Sequence, residues 1–175
     1  MLEWHIMDNK NISLVGFMGS GKSAVSKKLA EILEREVVSS DDIIVQKQRR
    51  SISEIFQESG EAHFRAVEKN CILELSSKEN LVIDCGGGVV IDPENIENLK
   101  KGGILVFLEA SPEVLYDRVK HCTNRPLLQV ENPIAKIKEL LDQRKEFYAK
   151  ADFIVNTDGK RLEEVCEEIL VLVSD

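Results

Sequence analysis

Two apolar periods alternate along this chain. Short continuous runs recur at Ile12-Ser13-Leu14-Val15, Val37-Val38, Leu81-Val82-Ile83, Ile104-Leu105-Val106-Phe107-Leu108 and Phe153-Ile154-Val155. Each is bounded by polar or glycine residues and reads as a short strand buried on both faces. The stretches between them carry apolar residues at helical spacing. Val25, Leu29, Ile32 and Leu33 fall on one face after the first run. Ile52, Ile55 and Phe56, then Phe64, Val67, Cys71, Ile72 and Leu75, follow the second, with breaks near Ser51 and at Gly60. Pro93, Pro112 (behind a capping Ser111) and Pro133 each open a further helix, the last running to about Lys150. A final helix carries Leu162, Val165, Cys166, Ile169 and Leu170. Strands alternating with helices predict an α/β fold with a parallel sheet covered on both sides. No repeat or linker divides the chain, so residues 1–175 read as one domain, with 1–10 as a loose N-terminal arm.

Between the first strand and first helix lies Gly16-Phe17-Met18-Gly19-Ser20-Gly21-Lys22-Ser23. Glycine, four residues, then Gly-Lys-Ser is the phosphate-binding P-loop pattern. Glycines let the backbone turn its N–H groups onto an anion, and the following helix N-terminus favours negative charge. Gly16, Gly19, Ser20, Gly21, Lys22, Ser23 and Ala24 therefore form a candidate nucleotide-phosphate site. Lys22 supplies charge to the outer phosphates, and the Ser23 hydroxyl is placed for Mg²⁺.

Two other strand ends carry candidate chemistry. The second strand runs from Glu36 into Ser39-Ser40-Asp41-Asp42. Ligands of open parallel sheets collect at the carboxyl ends of strands, so Asp41 is a site candidate. One of Ser40, Asp41 and Asp42 is expected to cap the next helix. The third strand ends at Asp84 and is followed by Cys85-Gly86-Gly87-Gly88. Three successive glycines are entropically costly; a tight turn or close approach to a ligand would justify them, and the strand-end position favours the ligand. The polar segment 121–132, containing Arg125-Pro126-Leu127-Leu128, interrupts the helical pattern and suits a mobile lid.

A formal net charge of −8 argues against general nucleic-acid binding. No apolar run is long enough to span a membrane, and the N-terminus lacks a signal-peptide core. Cys71, Cys85, Cys122 and Cys166 are scattered without CxxC spacing, which favours a reduced, cytoplasmic protein, with Cys71 and Cys166 as small core residues. His5, His63 and His121 show no ligand spacing, and Lys47, Arg49 and Arg50 read as a solvated face.

The order and spacing of Gly16 to Ser23, Asp41, Phe64-Arg65, Gly86-Gly87-Gly88, Arg125-Pro126-Leu127-Leu128 and Arg144 resemble shikimate kinases, from about Asn11 to the last helix. The resemblance implies a three-layer P-loop kinase with a five-stranded parallel sheet of order 2-3-1-4-5 and a lid. It implies transfer of the ATP γ-phosphate to the 3-hydroxyl of shikimate, a step of aromatic amino-acid synthesis; a monomer is expected. Asp41 would hold the shikimate hydroxyls and accept a proton. Arg65 and Arg144 would clamp the carboxylate, helped by the Gly86–Gly88 backbone. Arg125 would reach the moving phosphate, and Arg118 would stack on adenine. The chemistry agrees: arginine matches a carboxylate with paired hydrogen bonds, and phosphoryl transfer asks for positioning, Mg²⁺ and positive charge.

Two positions depart from the family. Ser39 stands where an aspartate usually reaches Mg²⁺ through water, and the last loop, Thr157 to Arg161, lacks a proline. With the implied strand order, Asp84 borders the P-loop, and it is the expected acidic partner of Ser23 at Mg²⁺. Two alternatives remain: Asp84 bonds only the glycine turn, or Asp41 serves both metal and substrate. A gluconate kinase on the same sheet and a non-catalytic nucleotide-binding module are the rival functions. The first has no need of the triple glycine with both arginines, and the second leaves Asp41, Arg65, Arg125 and Arg144 without a purpose.

Overall fold

The structure, a computed structural model, describes residues 9–121 and 130–174. Its elements run β1 (Asn11–Val15), α1 (Lys22–Leu33), β2 (Glu36–Ser39), α2 (Ser40–Gln48), α3 (Ile52–Ser76), β3 (Leu81–Asp84), α4 (Pro93–Gly102), β4 (Gly103–Glu109), α5 (Pro112–Val119), α6 (Pro133–Tyr148), β5 (Phe153–Asn156) and α7 (Leu162–Ser174). The five strands are parallel, in the order β2-β3-β1-β4-β5. Successive side chains on a strand point to opposite faces, and the core divides accordingly. Ile12, Leu14, Val82 and Val106 pack beneath α1 and α7, against Leu29, Val165 and Ile169. Val15, Ile83, Leu105 and Phe107 pack on the other face, against Ile72, Leu75 and Leu99 of α3 and α4. Full burial of one such side chain stabilises by roughly 1.5–3 kcal/mol, so these two layers hold the sheet rigid beneath its strand ends.

Polar side chains set the helix starts. Ser51 and Glu54 form a reciprocal capping box on α3, Asp92 caps α4 ahead of Pro93, and Asn132 caps α6 ahead of Pro133. The cap of α2 is Ser39 rather than Ser40, Asp41 or Asp42. β2 ends at Ser39, whose Oγ accepts the amide of Asp42 at 3.2 Å. Asp41 consequently lies in the first turn of α2, just beyond the strand. Ser111 occupies the cap position of α5, yet its side chain makes no cap bond; its amide donates instead to the Asp158 carboxylate at 3.1 Å. Ile32 is 38% exposed because it lies at the edge of the buried arc of α1, which takes in Val25, Ser26, Leu29 and Ala30, with Leu33 packed partly against the same core. The expected break at Gly60 is a kink with φ 80° and ψ 169°, a conformation glycine tolerates, which turns the two halves of α3 against each other.

Cys71 and Cys166 are buried, as expected, and Cys85 with them. Lys47 pairs with Glu74 and Arg50 with Glu58 at the surface. No helix among the described residues is long and apolar enough to cross a membrane. The central part of the expected lid, with Arg125, and the first eight residues of the expected arm lie outside the described residues.

Candidate active site

The carboxyl ends of β1, β2 and β3 open together onto a cleft of about 670 Å³. β1 leads into the P-loop, whose Gly21 turns at φ 95° immediately before α1. No side chain caps α1, and its first turn holds no acidic residue, whereas α2, α3, α4 and α6 are each capped by their own serine, aspartate or asparagine. The first-turn N–H groups of α1 are thus left for an anion in the cleft. Lys22 donates to the Gly16 and Phe17 carbonyls at 2.9 and 3.1 Å, holding its ammonium across the loop.

The triple glycine is the template for the opposite wall. A Cβ on Gly86 would overlap the carboxylate of Asp41 and stand 3.2 Å from its Cγ. One on Gly88 would lie 2.5 and 2.7 Å from the two terminal nitrogens of Arg65. At Gly87 the nearest atoms, Gly16 O and Met18 N of the P-loop, are 3.8 and 4.0 Å away. The glycines therefore admit, side by side, a carboxylate, the edge of the phosphate loop and a guanidinium. The turn is pinned by the Gly86 amide, which donates to Ser40 Oγ at 2.9 Å, one residue before Asp41.

Arg65 and Arg144 are each held by neighbouring groups. Arg65 donates to the Glu68 carboxylate at 2.7 Å and to Glu61 at 3.3 Å, and its guanidinium lies 5.2 Å from the Phe64 ring centroid. Glu68 is 1% exposed; burial pushes its carboxyl up, and Arg65 pulls it part of the way back. Arg144 donates to the Gly87 carbonyl at 3.0 Å and sits 5.6 Å from the Phe17 ring centroid. One turn further on, the buried Tyr148 hydroxyl reaches the same carbonyl at 3.5 Å, with its ring stacked on Phe107 at 4.2 Å.

Arg118 bridges the P-loop and the β5–α7 loop. It donates to the Gly19 carbonyl at 3.2 Å and to Thr157 Oγ1 and O, both at 3.0 Å. Beside the phosphate loop, Ser23 Oγ donates to Asp84 Oδ2 at 2.5 Å. Asp84 is the register partner of Leu14 on one side and Ser39 on the other.

Of the described candidates, Gly19, Gly21 to Ala24, Asp41, Arg65, Asp84, Gly86 to Gly88 and Arg144 line this cleft; Gly16 and Ser20 belong to the P-loop without lining it, and Arg118 touches that loop at the Gly19 carbonyl. Sequence reasoning did not single out Glu68, Ser40, Tyr148 or Thr157. For Glu68 and Tyr148 the signal was helical spacing, three residues after Arg65 and four after Arg144. Thr157 and Ser40 give no such signal, since their partners are distant in sequence.

A P-loop opposed by two braced arginines and a carboxylate defines a phosphotransferase whose acceptor is a small anionic alcohol. The shikimate kinase family model matches residues 18–174. A shikimate kinase of Thermodesulfovibrio yellowstonii is 48% identical over 161 residues, covering 92% of this chain and 93% of its own length. The shikimate kinase of Acinetobacter baumannii, solved in complex with shikimate, is 40% identical with a TM-score of 0.89, covering 95% of this chain and 93% of the other. A Sinorhizobium meliloti gluconokinase shares the fold, with a TM-score of 0.64, at 21% identity and 95% and 92% coverage. The chain belongs to the shikimate kinase family. Its reaction is the ATP-dependent phosphorylation of shikimate, a small-molecule alcohol, rather than that of gluconate.

Proposed function

We propose that the residues of this cleft divide the reaction as follows. The P-loop backbone, Gly16 to Ala24, and Lys22 cradle the ATP phosphates, while Arg118 gives adenine a flat cationic face. Arg65 and Arg144 take the shikimate carboxylate between them, with Gly86 to Gly88 as the floor. Asp41 accepts a hydrogen bond from the 3-hydroxyl and takes its proton as the hydroxyl oxygen attacks the γ-phosphorus and the bond from that phosphorus to the β-phosphate oxygen breaks, releasing ADP. Arg125 meets the charge that builds on the transferring phosphoryl group and helps exclude water. When bound with ATP, Mg²⁺ neutralises phosphate charge. A serine hydroxyl beside a carboxylate at the loop is a donor set of the hard oxygen kind that suits it.

The convergence of Asp41, Arg65 and Arg144 on one glycine turn facing the P-loop supports this reading above all. A clamp on the carboxylate fixes which hydroxyl faces the phosphate, so the product should be the 3-phosphate alone. Phosphorus and proton NMR of the product tests this; a mixture of positional isomers would refute it. A single-domain monomer acting in the cytoplasm, without a nucleic-acid partner, fits a cleft lined by one chain, the buried thiols of Cys71, Cys85 and Cys166, and a net charge of −8.

A further inference from the structure

Four acidic residues line the cleft; Asp42 is exposed in the first turn of α2, and of the other three, two have other work. Glu68 is bound to Arg65, and Asp41 lies against Gly86 at the start of α2, facing the acceptor clamp. The third, Asp84, is bound to the P-loop serine itself. Among the described residues no three His, Cys, Asp or Glu side chains converge as a metal cage; Mg²⁺ is commonly held by one or two carboxylates together with substrate phosphates and waters.

We infer that Asp84 is the carboxylate that serves Mg²⁺, and that positions 84 and 39 are alternative seats for it. Ser39 and Asp84 are direct partners across the β2–β3 pair, at the last residue of each strand. A carboxylate at either position ends beside the same phosphates. Carboxylates at both would stand as like charges on adjacent strands, which destabilises a sheet. Ser39 does not fill the role itself, because its oxygen already accepts the Asp42 amide at the head of α2. Asp84 also orients the other ligand. By accepting the Ser23 proton it leaves the oxygen lone pairs of that serine for a cation. The inference rests on the Mg²⁺·ATP reading of the site.

The test is Mn²⁺ binding to the enzyme·ADP complex, followed by electron paramagnetic resonance, in the wild type, Asp84→Asn, Ser39→Asp and the double variant. Asp84→Asn should weaken Mn²⁺ binding about 10–100-fold, the usual cost of losing a group that supports a metal ligand. Ser39→Asp in that background should recover most of the loss, since aspartate caps a helix as well as serine does. Ser39→Asp alone should melt at a lower temperature in EDTA and regain the difference with metal. ADP affinity in EDTA reports that each variant is folded, and Asp84→Ser replaces Asp84→Asn if the latter does not melt cooperatively. Unchanged Mn²⁺ affinity in Asp84→Asn, or a loss that Ser39→Asp does not restore, overturns the inference. Shikimate-dependent ADP release by the wild type, measured separately, tests the reading beneath it.

Discussion

Replacing Gly86, Gly87 and Gly88 by alanine one at a time separates three functions of a single turn. At Gly88 the new Cβ would stand 2.5 Å from an Arg65 nitrogen, about 1 Å inside ordinary contact. The guanidinium is the end of a flexible side chain, so it moves rather than the backbone, giving up its alignment with the shikimate carboxylate. At Gly86 the collision is with Asp41 itself. Pushing that carboxylate off its rotamer costs about 0.5–1.5 kcal/mol in the folded enzyme. A misplacement of about 1 Å costs on the order of 100-fold in rate, or about 2.7 kcal/mol of barrier. At Gly87 the space is open to 3.8 Å, and alanine fits with ordinary contacts. Steady-state kinetics should therefore show Gly86→Ala losing mainly kcat, by about 100-fold. Gly88→Ala should raise mainly KM for shikimate, and Gly87→Ala should remain within a few-fold of wild type. Melting temperatures should move little in all three. A Gly87→Ala enzyme as impaired as the other two would refute the reasoning, because the glycines would then be needed for the turn rather than for their neighbours.

Arg65→Ala or Arg144→Ala should weaken shikimate binding by roughly 2–5 kcal/mol while ATP binding barely changes, as read by calorimetry; equal losses for both ligands count against the clamp. Glu68→Gln should remove an acid-side rise in shikimate KM. In the wild type the carboxylate protonates as pH falls through its raised pKa and loosens its hold on Arg65. The sign for stability is opposite: a pKa raised by folding contributes stability in full below the ordinary value near 4.5 and loses it as pH rises through the folded pKa. The melting temperature of Glu68→Gln should thus gain on the wild type as pH rises across that window. Arg125→Ala should lower kcat far more than it raises KM for ATP under the proposed contact with the moving phosphate; a pure KM effect would remove it from the transition state.

Much of this architecture was written in local pattern. Runs such as Ile104–Leu108, short, β-branched or aromatic in part and preceded by two glycines, read as buried strands, and Pro93, Pro112 and Pro133 mark helix starts that the structure keeps. The P-loop was legible because its chemistry depends on backbone N–H groups and a fixed spacing. The purpose of Gly86–Gly88 was half legible. A close approach was expected, but the approaching groups are Asp41 and Arg65, which come from elsewhere in the chain. Caps were read one residue late on α2, since Ser39, Ser40, Asp41 and Asp42 are all good capping types and only the end of β2 decides among them. Ile32 is exposed because the buried arc of α1 is turned toward Ser26 and Ala30, residues whose small or polar side chains do not mark them as core. The pairing of Ser39 with Asp84 depends on strand register across 45 residues, which no local pattern encodes.

The central claim is that a clamp for shikimate faces a phosphate-transferring loop in one cleft. ADP release from ATP, in the presence of Mg²⁺, with shikimate, with gluconate and with neither, tests it most directly. Release should be rapid with shikimate, and near background with gluconate or with no acceptor. Release independent of the acceptor, or favoured by gluconate, would contradict it.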